Sequence, residues 1–256
     1  MSEIRYQFGF STIHADEMYD EEKRNIKAGK ALSVLNDFLS TEGKDPATLD
    51  LLDVGCSTGF MTKSYAQRFR EVTGIDIDKD AVFFAGTHNR AANIRYVVSD
   101  CLHTGFDSES FDVISCTQIY EHVPDATQLM NEIGRLLRAD GICYFAAGNR
   151  LNLIEGHYGL PLLSIMPKSL GHIYLRIVGK GTYYYEKHLT LMGLKRLVSN
   201  FKIFDYTKKI IEEPAYYSAT DMLIPGSIKH RIALAAVRLA YFLCPTYIWI
   251  LKKRIL

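Results

Sequence analysis

The sequence predicts an α/β fold built on a mostly parallel sheet. Two observations support this prediction. Short apolar runs alternate with helical patterns between residues 49 and 148, and small or acidic residues follow the ends of the first three runs. Such alternation is typical of a sheet with helices on both faces, and sheets of this kind bind ligands at the carboxyl ends of their strands.

The individual elements follow from apolar periodicity and from the residues that interrupt it. A first helix is predicted over residues 16–39, and Gly43 and Pro46 follow its end. The predicted strands of the core are 49–54, 72–75, 94–98, 111–116 and 142–147. The helices between them are predicted at 58–68, 78–89 and 126–138.

The regular alternation stops after Gly148. Residues 149–190 are rich in glycine, proline and tyrosine, and a segment of this length between sheet elements is usually functional. The later elements are predicted as a helix at 191–199, a strand at 201–208, a helix at 227–243 and an apolar run at 247–251. We therefore expect residues 149–190 to be an insertion that covers a substrate.

Composition narrows the class of protein. Apolar residues make up 48% of the 256, as in an ordinary globular chain, and the formal net charge of +1 predicts no nucleic-acid partner. The cysteines are Cys56, Cys101, Cys116, Cys143 and Cys244. Their odd number and the lack of CxxC pairs favour a reduced, cytoplasmic setting over disulfides or zinc. The N-terminal stretch MSEIRYQFGF lacks the apolar core of a signal peptide.

The stretch LLDVGCSTGF, residues 51–60, joins a predicted strand to a predicted helix. Gly55 and Gly59 allow the backbone to approach a ligand closely, and the three residues between them are nearly as small. The start of the helix also offers free backbone N–H donors. A tight turn without a ligand would favour glycine equally, so the loop alone leaves both interpretations open.

Two acidic residues follow the next two strands. Asp76 lies seventeen positions beyond Gly59, a spacing at which an acid typically accepts hydrogen bonds from ribose hydroxyls. Asp78 is the better candidate for the cap of the following helix, which leaves Asp76 available to a ligand. Asp100 follows the third strand, where its carboxylate could accept a hydrogen bond from an adenine amino group. Together with the glycine loop they predict a nucleoside pocket.

Taken in order, these residues resemble the motifs of the class I S-adenosylmethionine-dependent methyltransferases. Residues 51–59, Asp76 and Asp100 with Ser99 resemble the first three motifs. FDVISCTQIYEHVPD resembles the fourth motif, and LLRADGICYFAAGN resembles the region that follows it. The resemblance runs unbroken over residues 49–149. It implies a Rossmann-like sheet of seven strands, mostly parallel with the last strand antiparallel, and helices on both faces.

The resemblance also implies S-adenosylmethionine as the cofactor and S-adenosylhomocysteine (SAH) as the product. The residues that it assigns to the cofactor are Asp53, Gly55, Cys56, Ser57 and Gly59 near the methionine part, Asp76 at the ribose, Ile77, Asp100 and Cys101 around the adenine, and Thr117 and Gln118 beside the sulfonium. The family loop usually has a glycine where this sequence has Ser57, which affects the fine geometry of the loop.

A nicotinamide dinucleotide is the competing cofactor. Its fingerprint is G-x-G-x-x-G, whereas the glycines here are Gly55 and Gly59 with three residues between them and no third glycine at the required place. An acid directly before the loop, Asp53, also fits methyltransferases better. The sequence therefore favours S-adenosylmethionine.

Methyl transfer from a sulfonium is an in-line displacement, and an oxygen or nitrogen acceptor must also lose a proton. No metal is expected. The candidate catalytic residues are Tyr120, Glu121 and His122 in IYEHVPD, beside the expected methyl group. Relatives with an E-H pair in this loop act on quinone precursors and other small molecules, and histidine titrates in the useful range. Alternatively, Glu121 and His122 only stabilise the loop and the helix that starts near Asp125.

The insertion supplies the candidate acceptor-binding residues, namely His157, Tyr158, Tyr185 and His188. A histidine in a loop is often simply solvated, so this role is one of two open alternatives. The insertion also resembles that of methyltransferases from bacterial and archaeal polysaccharide, lipid and natural-product pathways. We expect O-methylation of a small-molecule, saccharide or lipid-linked acceptor, whose identity the sequence leaves open together with the oligomeric state.

The division of the chain follows from these assignments. We expect one methyltransferase domain over residues 1–256. Its parts are a helical cap at 1–48, the cofactor-binding core at 49–148, the acceptor-side insertion at 149–190 and C-terminal helices and strands at 191–256. Two non-catalytic alternatives are a silent partner subunit with this fold and a membrane-associated scaffold.

The C-terminal segment IKHRIALAAVRLAYFLCPTYIWILKKRIL is apolar with basic residues at both ends. No stretch reaches eighteen uninterrupted apolar residues, which disfavours a spanning helix. The segment predicts a helix that covers the sheet, followed by a final strand, TYIWILKK. The alternative is a helix on a membrane surface, which would place the protein peripherally at the inner face of the membrane and would suit a lipid-linked acceptor.

Overall fold

A computed structural model describes residues 6–7 and 9–254 of the chain. Part of the N-terminal stretch considered above, residues 1–5 and 8, and the last two residues of the C-terminal segment lie outside the described residues. The described chain contains a seven-stranded sheet in the order β3-β2-β1-β4-β5-β7-β6. The strands are β1 (Asp50–Val54), β2 (Glu71–Asp76), β3 (Ile94–Val98), β4 (Phe111–Thr117), β5 (Leu137–Gly148), β6 (Phe201–Asp205) and β7 (Thr246–Lys253).

Strand β7 lies antiparallel between β5 and β6, and the neighbouring pairs from β3 to β5 are parallel. The predicted α/β, Rossmann-like fold with an antiparallel last strand is therefore confirmed. The helices are α1 (Phe10–Ile13), α2 (Ala15–Met18), α3 (Glu21–Thr41), α4 (Phe60–Ala66), α5 (Lys79–His88), α6 (Ala126–Leu136), α7 (Lys168–Ile177), α8 (Leu191–Leu197), α9 (Thr207–Glu212) and α10 (Ile228–Leu239).

Apolar residues pack on both faces of the sheet, which explains why the central strands read as continuous apolar runs. On one face, Leu52 and Ile114 are buried in the same cluster as Trp249. On the other face, Leu35 of α3 and Tyr65 of α4 are buried together with residues of β1, β4 and β7. The two layers fix the carboxyl ends of β1, β2 and β4 at one edge of the sheet.

Aspartate caps explain where several helices begin, because a side-chain oxygen satisfies backbone N–H groups of the first turn. Asp78 accepts hydrogen bonds from Asp80 N and Ala81 N at the start of α5, as the sequence predicted. Asp125 accepts from Thr127 N and Gln128 N at the start of α6. Asp78, and not Asp76, therefore caps α5.

Several predicted bounds are wrong. The single helix predicted over 16–39 is two helices, α2 and α3, because Asp20 accepts a hydrogen bond from Lys23 N and starts a new helix. The helix predicted to end at 138 ends at Leu136, because β5 begins at Leu137. The helix predicted over 227–243 ends at Leu239, and a 3₁₀ turn follows at Tyr241–Leu243.

The insertion contains the helix α7, which the sequence analysis did not predict. Asn149 anchors the start of the insertion, since its Nδ2 donates to Phe242 O and Cys244 O, each at 2.8 Å. The final strand β7 spans Thr246–Lys253, as predicted from TYIWILKK. None of the helices in the described part of the chain combines the length and apolar character needed to span a bilayer.

Candidate active site

The glycine loop between β1 and α4 has the backbone conformation that its small residues predict. Gly55 and Gly59 have φ angles of 73° and 81°, in the left-handed region that favours glycine. A Cβ atom at Gly55 would lie 2.2 Å from Ile119 Cδ1, so a larger residue there would displace a side chain at the end of β4. The loop therefore holds β1 and β4 close together at the cavity.

Ser57 also adopts a left-handed conformation, with φ of 48°, although it is not glycine. Its backbone N–H donates to Asp76 Oδ2 at 2.8 Å, which holds this conformation in place. Its Oγ is buried and has no hydrogen-bond partner within the described chain. A strained residue with an unsatisfied hydroxyl at a cavity wall is typical of a ligand-binding position.

Asp76 lies at the end of β2 and receives a second hydrogen bond, from Asp78 N to Oδ1, at 2.9 Å. Burial raises the pKa of this carboxyl group, although the two backbone N–H groups partly oppose the effect. Each oxygen has a lone pair left for a further donor. Vicinal ribose hydroxyls would supply two such donors, so the residue fits the role that the sequence predicts.

Asp100 follows β3 and is hydrogen-bonded within the chain. Its Oδ1 accepts from Leu102 N at 2.8 Å and from the hydroxyl of Tyr6 at 2.5 Å. This contact of Tyr6 was not predicted, because no local pattern relates two residues that are 94 positions apart. The N-terminal segment therefore covers the predicted nucleoside end of the site, where Ser11 Oγ also donates to Asp78 Oδ2 at 2.5 Å.

A cavity of about 360 Å³ runs from this nucleoside end to the insertion. The predicted residues that line it are Gly55, Ser57, Asp76, Ile77, Cys101, Thr117, Gln118, His122 and His157. The structure thus brings together residues from four strand ends and the insertion. Gln118 has a φ of 56°, and its backbone N–H donates to Ala146 O at 2.8 Å, which turns the chain away from β4 at the cavity wall.

Three predicted cofactor residues lie behind the loop instead of lining the cavity. Asp53 is buried, accepts a hydrogen bond from Thr62 Oγ1 at 2.7 Å and has a pKa raised to about 6 by burial. Cys56 is a buried thiol. A Cβ at Gly59 would lie 2.6 Å from the hydroxyl of Tyr96. Packing against Tyr96 therefore explains the glycine at this position without any ligand. These three residues support the conformation of the loop and do not line the cavity.

Basic residues of α3 line the cavity and were not predicted. Arg24, Lys27 and Lys30 are three residues apart and therefore point to one side of the helix. Lys27 pairs with Glu17, and Lys30 Nζ lies 2.7 Å from Asp221 Oδ2. The spacing of three residues in the sequence was the signal that could have placed these basic side chains on one side of the helix.

The hydroxyl of Tyr120 forms two hydrogen bonds that stabilise the insertion. This hydroxyl donates to Gly148 O at 2.5 Å and accepts from Leu189 N at 3.0 Å, so it connects the loop after β4 to both ends of the insertion. The side chain is buried and does not line the cavity. We therefore leave Tyr120 out of the proposed chemistry.

His122 and His157 face each other at the end of the cavity that the insertion forms, with ring centroids 4.9 Å apart. His122 Nδ1 lies 3.3 Å from Gln7 Oε1, and the ring packs against Phe10. Burial and the neighbouring histidines lower the pKa of His122 well below its usual value. Burial likewise lowers the pKa of His157, to about 4.

Three buried glutamates surround these histidines. Glu121 and Glu186 have pKa values raised to about 7 by burial. Glu155 accepts hydrogen bonds at Oε2 from His157 N and Tyr158 N, and its Oε1 lies 3.5 Å from His188 Nε2. Sequence reasoning missed Glu155 and Glu186. The available signal was the repeated E-x-H pattern, EGH and EKH, in the insertion.

The other predicted acceptor residues lie outside the cavity wall. His188 is paired with Glu155, and Tyr158 packs edge-to-face on Tyr184. Tyr185 packs edge-to-face on Tyr183. These side chains support the insertion, and His157 is the member of the predicted set that reaches the cavity.

Comparison with known proteins agrees with this geometry. The family model described as "Methyltransferase domain" matches residues 52–145. The chain is 30% identical over 172 residues to the ubiquinone biosynthesis O-methyltransferase of Haemophilus ducreyi, a match that covers 62% of this chain and 69% of that protein. It is 32% identical over 156 residues to the enzyme of that name from Glaesserella parasuis, a match that covers 58% of this chain and 62% of that protein.

Among solved structures, the plantazolicin methyltransferase BamL, crystallised with a triazolic desmethylPZN analog and SAH, superposes with a TM-score of 0.61. The match covers 95% of this chain and 91% of that chain at 19% identity, which shows the fold. The glycine loop, Asp76 and the cavity fit S-adenosylmethionine as the cofactor. The chain belongs to the class I S-adenosylmethionine-dependent methyltransferases.

Proposed function

We propose that the protein methylates a hydroxyl oxygen of a small-molecule, saccharide or lipid-linked acceptor. The observation that supports this proposal is that His122 and His157 line the same cavity as Asp76 and Ser57. Polar groups that can receive a proton therefore lie at the far end of the cofactor site. Both curated relatives described above are named as O-methyltransferases, which agrees with an oxygen acceptor.

S-adenosylmethionine supplies an electrophilic methyl group on a sulfonium. The chain has to hold the acceptor in line with that group and to favour loss of the acceptor proton. Asp76 and Ser57 would hold the nucleoside and the loop side of the cofactor. The Glu–His–His cluster, defined as Glu121, His122 and His157, would receive the proton of the acceptor. Phe10 covers this end, since its ring packs edge-to-face against His122 and His157.

The direct test is a transfer assay with S-adenosylmethionine that carries a labelled methyl group. Acceptors would include a catechol with and without a prenyl tail, a monosaccharide and a primary amine. The proposal expects label in an O-methyl ether, identified by mass spectrometry and NMR, and no label when the hydroxyls of that acceptor are already methylated. Label found solely on nitrogen or carbon would contradict it.

We also propose that α10 lies on an anionic membrane surface. Ile228, Ile232 and Leu239 share one face of α10, and their side chains are 78%, 63% and 86% exposed. The exposed residues Arg231 and Arg238 flank this face. Residues 222–256 contain no aspartate or glutamate, so the surface suits anionic headgroups. A lipid-linked acceptor would then lie near the enzyme at the membrane.

A further inference from the structure

The loop after β4 and the insertion bury a dense group of ionisable side chains. Glu121, Glu155 and Glu186 are each 1% exposed. Lys168 Nζ donates to Tyr184 O at 3.0 Å and to Tyr185 O at 2.6 Å. His188 faces Glu155. His122 Nδ1 lies 4.0 Å from Glu186 Oε1, whereas Glu121 forms no ion pair with another described residue.

Several atoms of this group have no hydrogen bond. Glu121 Oε2, both carboxylate oxygens of Glu186 and His157 Nδ1 are buried without a hydrogen-bond partner in residues 6–7 and 9–254. Leaving one buried polar atom unpaired costs about 1–3 kcal/mol. Four such atoms in one place indicate that the site is built to hold a ligand.

The Glu–His–His cluster has the geometry of a metal site. One ligand atom from each of its three residues lies within 4.8 Å of the others. Ligand atoms around a tetrahedral ion with bonds of about 2.1 Å are separated by roughly 3.4 Å. Side-chain rotations that bring the atoms closer by up to about 1.4 Å would therefore complete the coordination.

Neighbouring groups constrain His122 and His157. In known metal centres, the second ring nitrogen of a histidine ligand is usually hydrogen-bonded. His122 Nδ1 faces Gln7 Oε1 at 3.3 Å and Glu186 Oε1 at 4.0 Å, which leaves Nε2 for a metal. The main chain at His157 is fixed by the hydrogen bond from its N–H to Glu155 Oε2, at 2.9 Å.

We propose that Glu121, His122 and His157 bind one divalent transition-metal ion. Two imidazoles and one carboxylate are the ligands that Zn²⁺, Fe²⁺ and Mn²⁺ take in proteins, whereas Mg²⁺ and Ca²⁺ prefer oxygen ligands throughout. The ion would supply a positive charge beside the buried carboxylate of Glu121. This site differs from the expectation of a metal-free enzyme that the sequence suggested.

His122 and His157 line the cavity, so an ion held by them would lie beside it. With an ion bound, the Glu–His–His cluster would act as metal ligands instead of receiving the proton, and an acceptor hydroxyl on the ion would release its proton to solvent more readily. Its oxygen then forms a bond to the methyl carbon, and the carbon–sulfur bond breaks with its electron pair left on sulfur. This role rests on the proposed O-methylation, whereas metal binding itself does not.

The test is metal binding by the full chain after dialysis against a chelator. Zn²⁺, Mn²⁺ and Mg²⁺ would each be titrated by equilibrium dialysis, with bound metal measured by mass spectrometry. We expect one equivalent of Zn²⁺ or Mn²⁺, and binding at least tenfold weaker for Mg²⁺. Glu121→Gln and His157→Gln should each weaken binding at least tenfold, while His103→Gln, at an exposed histidine, should leave it unchanged.

Calorimetric titration with SAH reports whether each variant is folded and still binds cofactor. Weakened metal binding with unchanged SAH affinity supports the site. Wild-type protein that binds no transition metal, or variants that bind it as wild type does, would overturn the metal proposal and leave the O-methylation proposal standing. Metal binding with no O-methylated product would overturn the O-methylation proposal and leave the metal proposal standing.

Discussion

Ser57 and Asp76 are joined by a hydrogen bond from the Ser57 backbone N–H to Asp76 Oδ2, at 2.8 Å. This bond connects the loop after β1 to the end of β2, so the two motifs act as one wall of the cavity. It also explains how Ser57 is held in a left-handed conformation that usually requires glycine. The first two predictions follow from this pair.

Ser57→Ala and Ser57→Gly separate the two properties of this residue. Both remove the buried Oγ, and Gly also relieves the backbone strain, which is of order 1 kcal/mol. We expect both variants to bind SAH about 3- to 10-fold more weakly, the effect of one hydrogen bond, as measured by calorimetry. We expect Ser57→Gly, but not Ser57→Ala, to have a melting temperature equal to or above that of the wild-type protein. Wild-type affinity in Ser57→Ala would mean that Oγ does not contact the cofactor.

Asp76→Ala should weaken SAH binding about 10- to 100-fold, because hydrogen bonds to a charged group contribute about 1.5–3 kcal/mol. The matched control is Asp80→Ala, which removes an exposed carboxylate in the first turn of α5. Calorimetric titration with SAH measures the affinity of both variants under the same conditions, and Asp80→Ala should bind SAH as the wild type does. Normal binding by Asp76→Ala would show that the motif assignment is wrong.

His122→Asn should slow methyl transfer about 10²- to 10⁴-fold at saturating cofactor, the range typical for loss of a proton-transfer group. SAH affinity should stay within about twofold of wild type, because the residue lies at the acceptor end of the cavity. His103→Asn is the control. Unchanged turnover in His122→Asn would reduce that residue to a structural role.

The loop that carries Asp100 and Cys101 depends on Glu132. Glu132 Oε1 accepts from Thr104 N at 3.0 Å and from Thr104 Oγ1 at 2.7 Å, and Arg135 donates to both carboxylate oxygens. The hydrogen bonds from Arg135 are the largest cause that lowers the pKa of Glu132, to about 2. Since the folded-state pKa lies below the unfolded value, the stabilisation is present above pH 4.5 and is lost as the pH falls towards 2.

Glu132→Gln should therefore lower the free energy of unfolding by about 1 kcal/mol at neutral pH. The difference from wild type should shrink as the pH is lowered below about 4.5. Urea titrations at several pH values measure both effects, and Glu212→Gln, at an exposed glutamate, provides the control. A difference that is independent of pH would show that the ionised carboxylate is not responsible.

The membrane proposal requires point substitutions, because β7 lies inside the sheet and a truncation from residue 228 would remove it. We expect wild-type protein to sediment with vesicles of phosphatidylglycerol and phosphatidylcholine, and to remain in solution with phosphatidylcholine alone. The double variant Ile228→Glu and Ile232→Glu should remain in solution in both cases. The control is Phe83→Glu, at an exposed aromatic residue of α5. Equal sedimentation of the double variant would exclude α10 as the contact.

Local patterns predicted much of the fold. The limits of β3 and β7 and the cap at Asp78 follow from alternation and helix-start signals within a few residues. The break between α2 and α3 was missed because the flanking charged residues fit one long helix equally well. The helix α7 was missed because its apolar residues lie in a segment rich in glycine and proline.

The candidate site was predicted where it depends on strand ends, and missed where it depends on tertiary contacts. Asp76 and Ser57 follow strands that the topology places side by side. The hydrogen bond from Tyr6 to Asp100 joins distant segments, and no periodicity reveals it. The repeated E-x-H pattern marks Glu155 and Glu186 in the sequence, but their place beside His122 and His157 depends on how the insertion folds.

The central claim is that this cavity binds S-adenosylmethionine. The most direct measurement is a calorimetric titration of the wild-type chain with S-adenosylmethionine, SAH and NAD under one set of conditions. We predict saturable binding of S-adenosylmethionine and SAH with one site per chain, and no binding of NAD. Absence of binding by both S-adenosylmethionine and SAH, or binding of NAD with equal affinity, would contradict the account.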